Sequence, residues 1–153
     1  MTLTGQTAPD FTLPRDGGDS VTLSALRGQP VVLYFYPKDD TPGCTLEAQD
    51  FTLHLDAFAK AGCLVLGVSK DTVAAHDKFR AKYDLHVALL SDAGADVCER
   101  YQVWAEKSKY GKTYLGIVRA TFLIDASGTV VREWREVTVP GHVSEVLDAV
   151  KAL

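Results

Sequence analysis

Cysteine is scarce in this chain, and its few thiols lie far apart. The 153 residues include three cysteines, Cys44, Cys63 and Cys98. An odd number of widely spaced cysteines argues against a disulfide framework, and the sequence contains no CxxC pair. The four histidines, at positions 54, 76, 86 and 142, show no zinc-binding spacing. The open question is therefore which thiol is reactive.

Long apolar runs and an excess of basic charge are also missing. No run is long enough to span a bilayer, and the first residues lack a signal-peptide pattern, so a cytoplasmic location is expected. The formal net charge is -4, which argues against nucleic acid as the main partner. Hydrophobic residues make up 46% of the chain, enough for a substantial core. A single domain over residues 1–153 is predicted.

Apolar runs rich in β-branched residues alternate with segments of helical periodicity. Strands are predicted over residues 31–36, 63–68, 87–90, 120–124 and 129–134. Helices are predicted over residues 45–60, 72–83, 94–102 and 143–152. This order predicts an α/β protein of thioredoxin-like fold, with a central mixed β-sheet flanked by helices and an N-terminal β-hairpin extension.

The stretch YPKDDTPGCT, residues 36–45, places Cys44 between a strand of apolar residues and a helix. Open α/β sheets carry their sites at the carboxyl ends of strands. The free N–H groups and dipole of a helix start favour an anion, and the thiolate is the nucleophilic form of cysteine. We therefore predict that Cys44 is the reactive thiol.

Several polar or rigid residues are candidates for helping Cys44. Thr41 supplies a hydroxyl, and Pro37 can stiffen the loop and shield the sulfur. Arg119 can lie beside the sulfur if strand 120–124 neighbours strand 31–36, and Glu47 can hold its guanidinium. Plainer interpretations remain open: Thr41 as a helix N-cap, Arg119 as a surface ion-pair partner, and Glu47 as a favourable acid in a first helical turn.

The pattern Pro37-x3-Thr41-x2-Cys44 resembles the active-site signature of the peroxiredoxins. The longer stretches YFYPKDDTPGCTLEAQDF and YGKTYLGIVRATFLID resemble the PrxQ subfamily, also called bacterioferritin comigratory protein (BCP). The resemblance extends to APDFTLP, LGVSKD and LLSDAGADV, so it covers nearly the whole chain.

The resemblance implies an antioxidant enzyme, a thioredoxin-dependent or thiol-dependent peroxidase that reduces hydrogen peroxide and organic hydroperoxides. Cys44 would be the peroxidatic cysteine and pass through a sulfenic acid. Thr41 would hydrogen-bond the substrate oxygen, and Arg119 would stabilise the transition state. Pro37 would seal the pocket, and Glu47 would support the arginine.

The resemblance also implies how the substrate is held and what the enzyme works with. The backbone N–H groups of Gly43 and Cys44 would contact the peroxide oxygens. No metal or organic cofactor would be required. The partners would be hydrogen peroxide, alkyl hydroperoxides, and thioredoxin or another thiol reductant, with no nucleic acid or membrane. A monomer is expected.

The sequence departs from the subfamily where a second, resolving cysteine is common. Gln49 and Arg80 occupy the two usual positions. Cys63 is predicted to lie in the core, and Cys98 is either a core residue or an unusual resolving residue. We therefore predict a one-cysteine enzyme resolved by an external thiol. The alternatives are a two-cysteine peroxidase that uses Cys98 and a non-enzymatic redox sensor or holdase.

The remaining polar segments carry weaker expectations. Asp39 and Asp40 are predicted to face solvent, and no histidine is given a catalytic role. The basic segment 107–112 is predicted to be a solvated loop, with a docking patch for an acidic reductase as the alternative. Trp104 and Tyr114 flank this segment and are candidates for covering the mouth of the site.

Overall fold

The computed structural model describes residues 2–153, which form nine strands and four α-helices. The strands are β1 (Thr12–Pro14), β2 (Ser20–Thr22), β3 (Val31–Phe35), β4 (Leu64–Ser69), β5 (Ala88–Ser91), β6 (Trp104–Lys109), β7 (Lys112–Ile117), β8 (Ala120–Ile124) and β9 (Val130–Arg135). The helices are α1 (Pro42–Lys60), α2 (Val73–Tyr83), α3 (Val97–Arg100) and α4 (His142–Lys151), and a 3₁₀ helix spans Leu23–Leu26.

Five of these strands form the central sheet, in the order β5-β4-β3-β8-β9. β3, β4 and β5 are parallel, whereas β8 and β9 run antiparallel to their neighbours. This mixed sheet with flanking helices confirms the predicted α/β, thioredoxin-like fold. Phe35, at the end of β3, pairs with Ala120, at the start of β8. The residue before β8 therefore lies at the edge of the sheet where β3 ends.

The sheet is covered on both faces, which explains why β3 has apolar residues at every position. Val31, Leu33 and Phe35 belong to one core cluster, and Val32 and Tyr34 belong to the other. Residues of α1, α2 and α4 pack in the second cluster, whereas α3 and the N-terminal segment contribute to the first. Alternate side chains of a strand point to opposite faces, so a strand covered on both sides is apolar throughout.

The N-terminal extension forms the predicted hairpin, in which β1 pairs antiparallel with β2. Two other elements differ from the prediction. The helix predicted over residues 94–102 is limited to Val97–Arg100, because Asp96 is not helical and Gln102 is left-handed. Residues 107–112 belong to the antiparallel hairpin β6–β7, with Tyr110 and Gly111 at its tip, and so do not form an irregular loop. Within residues 2–153, no helix is long and apolar enough to cross a membrane.

Candidate active site

Cys44 is the third residue of α1, at the carboxyl end of β3. Pro42 opens the helix, where its fixed φ suits the first turn and its missing N–H costs nothing. The first i→i−4 bond of the helix runs from the Thr45 N–H to the Thr41 carbonyl, at 2.8 Å. The N–H groups of Gly43 and Cys44 therefore have no acceptor within the helix. They are available to an anion or an oxygen at the helix start.

Thr41 is the N-cap residue by backbone position, but its side chain does not cap the helix. Its hydroxyl donates to the carbonyl of Lys38 at 2.8 Å and makes no bond to a helix amide. The plainer interpretation of Thr41 as the helix N-cap therefore holds for its backbone position but not for its side chain. Because its own proton is donated to the Lys38 carbonyl, the Thr41 oxygen keeps lone pairs that can accept a hydrogen bond from a substrate O–H.

Arg119 lies directly against Cys44, as the pairing of β3 with β8 dictates. Its Nη2 is 3.4 Å from the Cys44 Sγ, and only about a sixth of its side chain is exposed. A Cβ on Gly43 would lie 3.1 Å from the same Nη2, so glycine at this position permits the close approach. The positive guanidinium favours a negative charge on the sulfur. Arg119 is thus placed next to the thiol and is not merely a surface residue.

Glu47 anchors the arginine from one turn further along α1. Its Oε1 accepts from Arg119 Nη1 at 2.7 Å, and its side chain is fully buried. Burial raises the pKa of Glu47 to about 7, although the guanidinium of Arg119 pulls in the opposite direction. The carboxyl therefore fixes the guanidinium between itself and the sulfur, and the acid is more than a favourable charge in a helical turn.

A groove of about 580 Å³ leads from the surface to Cys44, which is only 2% exposed. Pro37 and Thr41 line it beside the sulfur, and Trp104 and Tyr114 of the β6–β7 hairpin line its outer wall. Four lysines also line it, at positions 38, 70, 107 and 109. The groove therefore gives a small molecule a route to a thiol that is otherwise covered.

The other two thiols lie elsewhere in the core. Cys98 is fully buried in the cluster on the opposite sheet face from Cys44, and burial with the nearby Asp92 carboxylate raises its pKa. Cys63 follows the far end of α1, and its Sγ donates to the Leu64 carbonyl. Burial raises the pKa of Cys63 to about 12. Both environments favour the neutral thiol.

One polar cluster beside the site contradicts a sequence-based expectation. Asp39 is buried and does not face solvent, whereas Asp40 is exposed as predicted. The Asp39 carboxylate lies 2.6 Å from Nδ1 of His76, a histidine that is given no catalytic role on the basis of the sequence. The signal was present in the sequence, because Asp39 follows β3, His76 lies on the helix after β4, and parallel strands end at the same edge.

Comparisons with known proteins were consistent with one another. Residues 4–133 match the AhpC/TSA family. The chain is 53% identical to a putative peroxiredoxin Bcp of Coxiella burnetii over 94% of its own length and 95% of the relative. It superposes on Xanthomonas campestris peroxiredoxin Q with a TM-score of 0.89 and 47% identity, covering 99% and 96% of the two chains. A structure from work on alkyl peroxide reduction by the Xanthomonas campestris bacterioferritin comigratory protein matches equally well, at 46% identity.

Proposed function

Because the chain belongs to the AhpC/TSA family, among the peroxiredoxins of the Bcp (PrxQ) type, we propose that Cys44 is the thiol with which it reduces peroxides. A peroxiredoxin needs a peroxide substrate and a thiol reductant. The observation that carries the assignment is the contact of 3.4 Å between Arg119 and the Cys44 sulfur, at the base of a groove and beside two unpaired helix amides. Residues 1–153 would act as one catalytic domain.

The first chemical step follows from this arrangement. The Cys44 thiolate attacks the terminal oxygen of a hydroperoxide, the S–O bond forms, and the O–O bond breaks. Sulfur is oxidised to the sulfenic acid while the peroxide is reduced, and the leaving alkoxide or hydroxide takes a proton from water. The Arg119 guanidinium and the amides of Gly43 and Cys44 stabilise the negative charge that develops on oxygen. The Thr41 oxygen accepts a hydrogen bond from the hydroperoxide O–H and orients the substrate, while that proton stays on the transferred oxygen, and Pro37 excludes water.

A one-cysteine cycle fits the positions of the remaining thiols. Cys44 and Cys63 are separated by nearly the full length of α1, about 28 Å for 19 helical residues, whereas a disulfide needs Cα atoms within about 7 Å. Cys98 lies across the sheet, which argues against the alternative in which it resolves Cys44. Arg80, where relatives of this type can carry the resolving cysteine, instead pairs with Asp16 at 2.7 Å.

The reductant would then be a separate thiol. It attacks the sulfenic sulfur, releases water and leaves a mixed disulfide, which a second thiol reduces. The lysines at the groove rim suit a reductant that carries negative charge, such as an acidic surface of thioredoxin or a small acidic thiol. Hydrogen peroxide and alkyl hydroperoxides would be the substrates, the latter by analogy with the Xanthomonas protein.

The test is an intact-mass map of the oxidised protein. After treatment with about one equivalent of hydrogen peroxide, we expect added oxygen on the Cys44 peptide, trapped by a sulfenic-acid reagent. A loss of two hydrogens mapped to a Cys44–Cys98 disulfide would contradict the one-cysteine cycle. Oxidation without turnover by any thiol reductant would support the sensor alternative instead.

A further inference from the structure

A buried ionic pair lies directly behind the active-site loop. His76 of α2 is fully buried, and its Nδ1 is 2.6 Å from Oδ2 of Asp39. Its Nε2 is 2.9 Å from the Leu90 carbonyl of β5. The second oxygen of Asp39 accepts from the Tyr36 hydroxyl at 2.6 Å. Every polar atom of the Asp39 and His76 side chains therefore has a partner.

The partners determine which protons His76 carries. A carbonyl only accepts, so Nε2 must bear a proton that it donates to Leu90. Nδ1 faces a carboxylate, so it also carries a proton when the pair is ionic. The titratable groups that face the ring are Asp39 from the loop, Tyr36 from the end of β3 and Asp71 from the turn after β4. Burial lowers the pKa of His76, but the bonds and charge of Asp39 outweigh it, and the net shift is upward.

Asp39 belongs to the segment that carries Pro37 and Thr41 into the site. Its backbone N–H donates to Asp71 Oδ2 at 2.8 Å. The next residue, Asp40, has a left-handed backbone with φ of 58° and pairs with Lys82 and Tyr83 of α2 at the surface. The exposed contacts are screened by solvent and hold the loop weakly. Of the ionic contacts of this loop, the buried pair of Asp39 and His76 is the one that resists screening.

We propose that His76 is a positioning residue for peroxide reduction: its imidazolium, paired with Asp39, holds loop 37–41 in the conformation that places Thr41 and the start of α1 around the Cys44 sulfur. His76 itself contacts neither the substrate nor the sulfur. This inference rests on the proposed role of Cys44. Its consequence is that the geometry of the site depends on a proton located on a neighbouring helix.

The sign of the pH dependence follows from the pKa shift. A histidine whose folded pKa is raised contributes its stabilisation fully at low pH and loses it as the pH rises through the folded pKa. Above that pKa, His76 is neutral and its attraction to the Asp39 carboxylate weakens. The loop then loosens, and the rate of Cys44 oxidation falls. An active site misplaced by about 1 Å can lose roughly a hundredfold in rate.

The test compares His76→Asn with the matched control His86→Asn, since the His86 side chain is exposed and pairs with the exposed Asp84. Single-turnover oxidation of Cys44 by hydrogen peroxide is followed over a pH series that starts near the ordinary histidine pKa of about 6.5 and extends upward, the direction in which the pKa of His76 is shifted. We expect His76→Asn to be about ten- to a hundredfold slower at neutral pH and to lose the alkaline decline of the wild type. His86→Asn should reproduce the wild-type profile.

Nuclear magnetic resonance of the wild-type protein keeps the proposal testable if His76→Asn does not fold. We expect the amide signals of residues 38–41 to titrate together with the His76 ring, and Asp39→Asn to move that titration to lower pH. Loop signals that ignore the His76 titration, or a folded His76→Asn with the wild-type rate and pH profile, would overturn the positioning role. Wild-type protein in which peroxide does not oxidise Cys44 at all would refute the proposed function instead.

Discussion

Cys44 and Cys98 both lie in the first turn of a helix, but the groups around their sulfur atoms carry opposite charge. At the start of α1, the Thr41 side chain bonds to the Lys38 carbonyl and not to the helix, so the first N–H groups of the helix stay free. Arg119 lies 3.4 Å from the Cys44 sulfur. At α3, the Asp92 carboxylate accepts from the Cys98 N–H at 2.8 Å, and burial together with this carboxylate raises the pKa of the thiol. One helix start favours a thiolate, whereas the other already binds an anion that repels it.

The comparison shows that a helix start alone does not activate a cysteine. Helix amides can stabilise only one anion at a time, and at α3 that anion is a side chain of the protein. Access adds to the difference, because a groove leads to Cys44, whereas Cys98 is fully buried in the core. The activation proposed for Cys44 depends on three features together: free amides, a cation fixed beside the sulfur, and a path for the substrate.

The largest expected effect comes from exchanging each cysteine for serine. Cys44→Ser should reduce peroxidase activity to background, because the serine hydroxyl is not ionised at neutral pH and cannot replace the thiolate. Cys98→Ser should keep the rate within about a factor of two, since a buried thiol acts as a small hydrophobe. Peroxide consumption with dithiothreitol as reductant measures both. If Cys98→Ser also lost turnover while Cys44 still oxidised, Cys98 would be a resolving residue.

Removing the positive charge of Arg119 should have the next largest effect on the rate of Cys44 oxidation. Arg119→Leu should slow the oxidation of Cys44 by about a hundred- to a thousandfold, the loss typical of one strong stabilising donor. Arg119→Lys should recover part of the rate, because it restores the charge but not the planar fork that reaches both Glu47 and the sulfur. Stopped-flow measurement of the Cys44 oxidation rate in each variant tests this prediction. Equal rates for Arg119→Leu and the wild type would remove Arg119 from the mechanism.

Removing the Asp92 carboxylate from the start of α3 tests the comparison of the two thiols at Cys98. Asp92→Ala should lower the free energy of unfolding by about 1–2 kcal/mol, since the amides of Val97 and Cys98 lose their acceptor. Cys98 should also react faster with an alkylating reagent in the native protein. Asp96→Ala is the control, because Asp96 precedes the same helix but is exposed and makes no side-chain cap bond. An unchanged labelling rate in Asp92→Ala would show that burial alone protects Cys98.

The smallest expected effect comes from substituting Glu47 of α1. This substitution tests the charge of the carboxyl separately from its hydrogen bond to Arg119. Its folded pKa is raised to about 7, so its contribution to stability is present at low pH and is lost as the pH rises through about 7. Glu47→Gln keeps an acceptor for Arg119 and removes the titration. The difference in unfolding free energy between wild type and variant, from urea denaturation at several pH values, should decline from about pH 4.5 to about pH 7 and stay level above that. A difference in unfolding free energy that does not change with pH would contradict the raised pKa of Glu47.

Much of the fold was predictable because its elements carry strong local signals. β3 has the continuous apolar run of a strand covered on both faces. β8 and β9 are joined by a short segment of turn residues, which is typical of a hairpin. The β6–β7 hairpin was missed as a pair of strands, because most of its residues are polar and exposed and it does not join the central sheet. Without a buried face, a strand shows no alternating pattern.

By itself, the sequence determined that a lone thiol follows a central strand and begins a helix, because a β-branched run, a Thr-Pro-Gly turn and a helical stripe are local features. Only the tertiary structure decided which charges meet that thiol. The pairing of β3 with β8 brings Arg119 to Cys44, and the parallel pairing of β3 with β4 brings His76 to Asp39. Such contacts join residues 37 to 75 positions apart, and their strength depends on burial, which single-residue patterns do not encode.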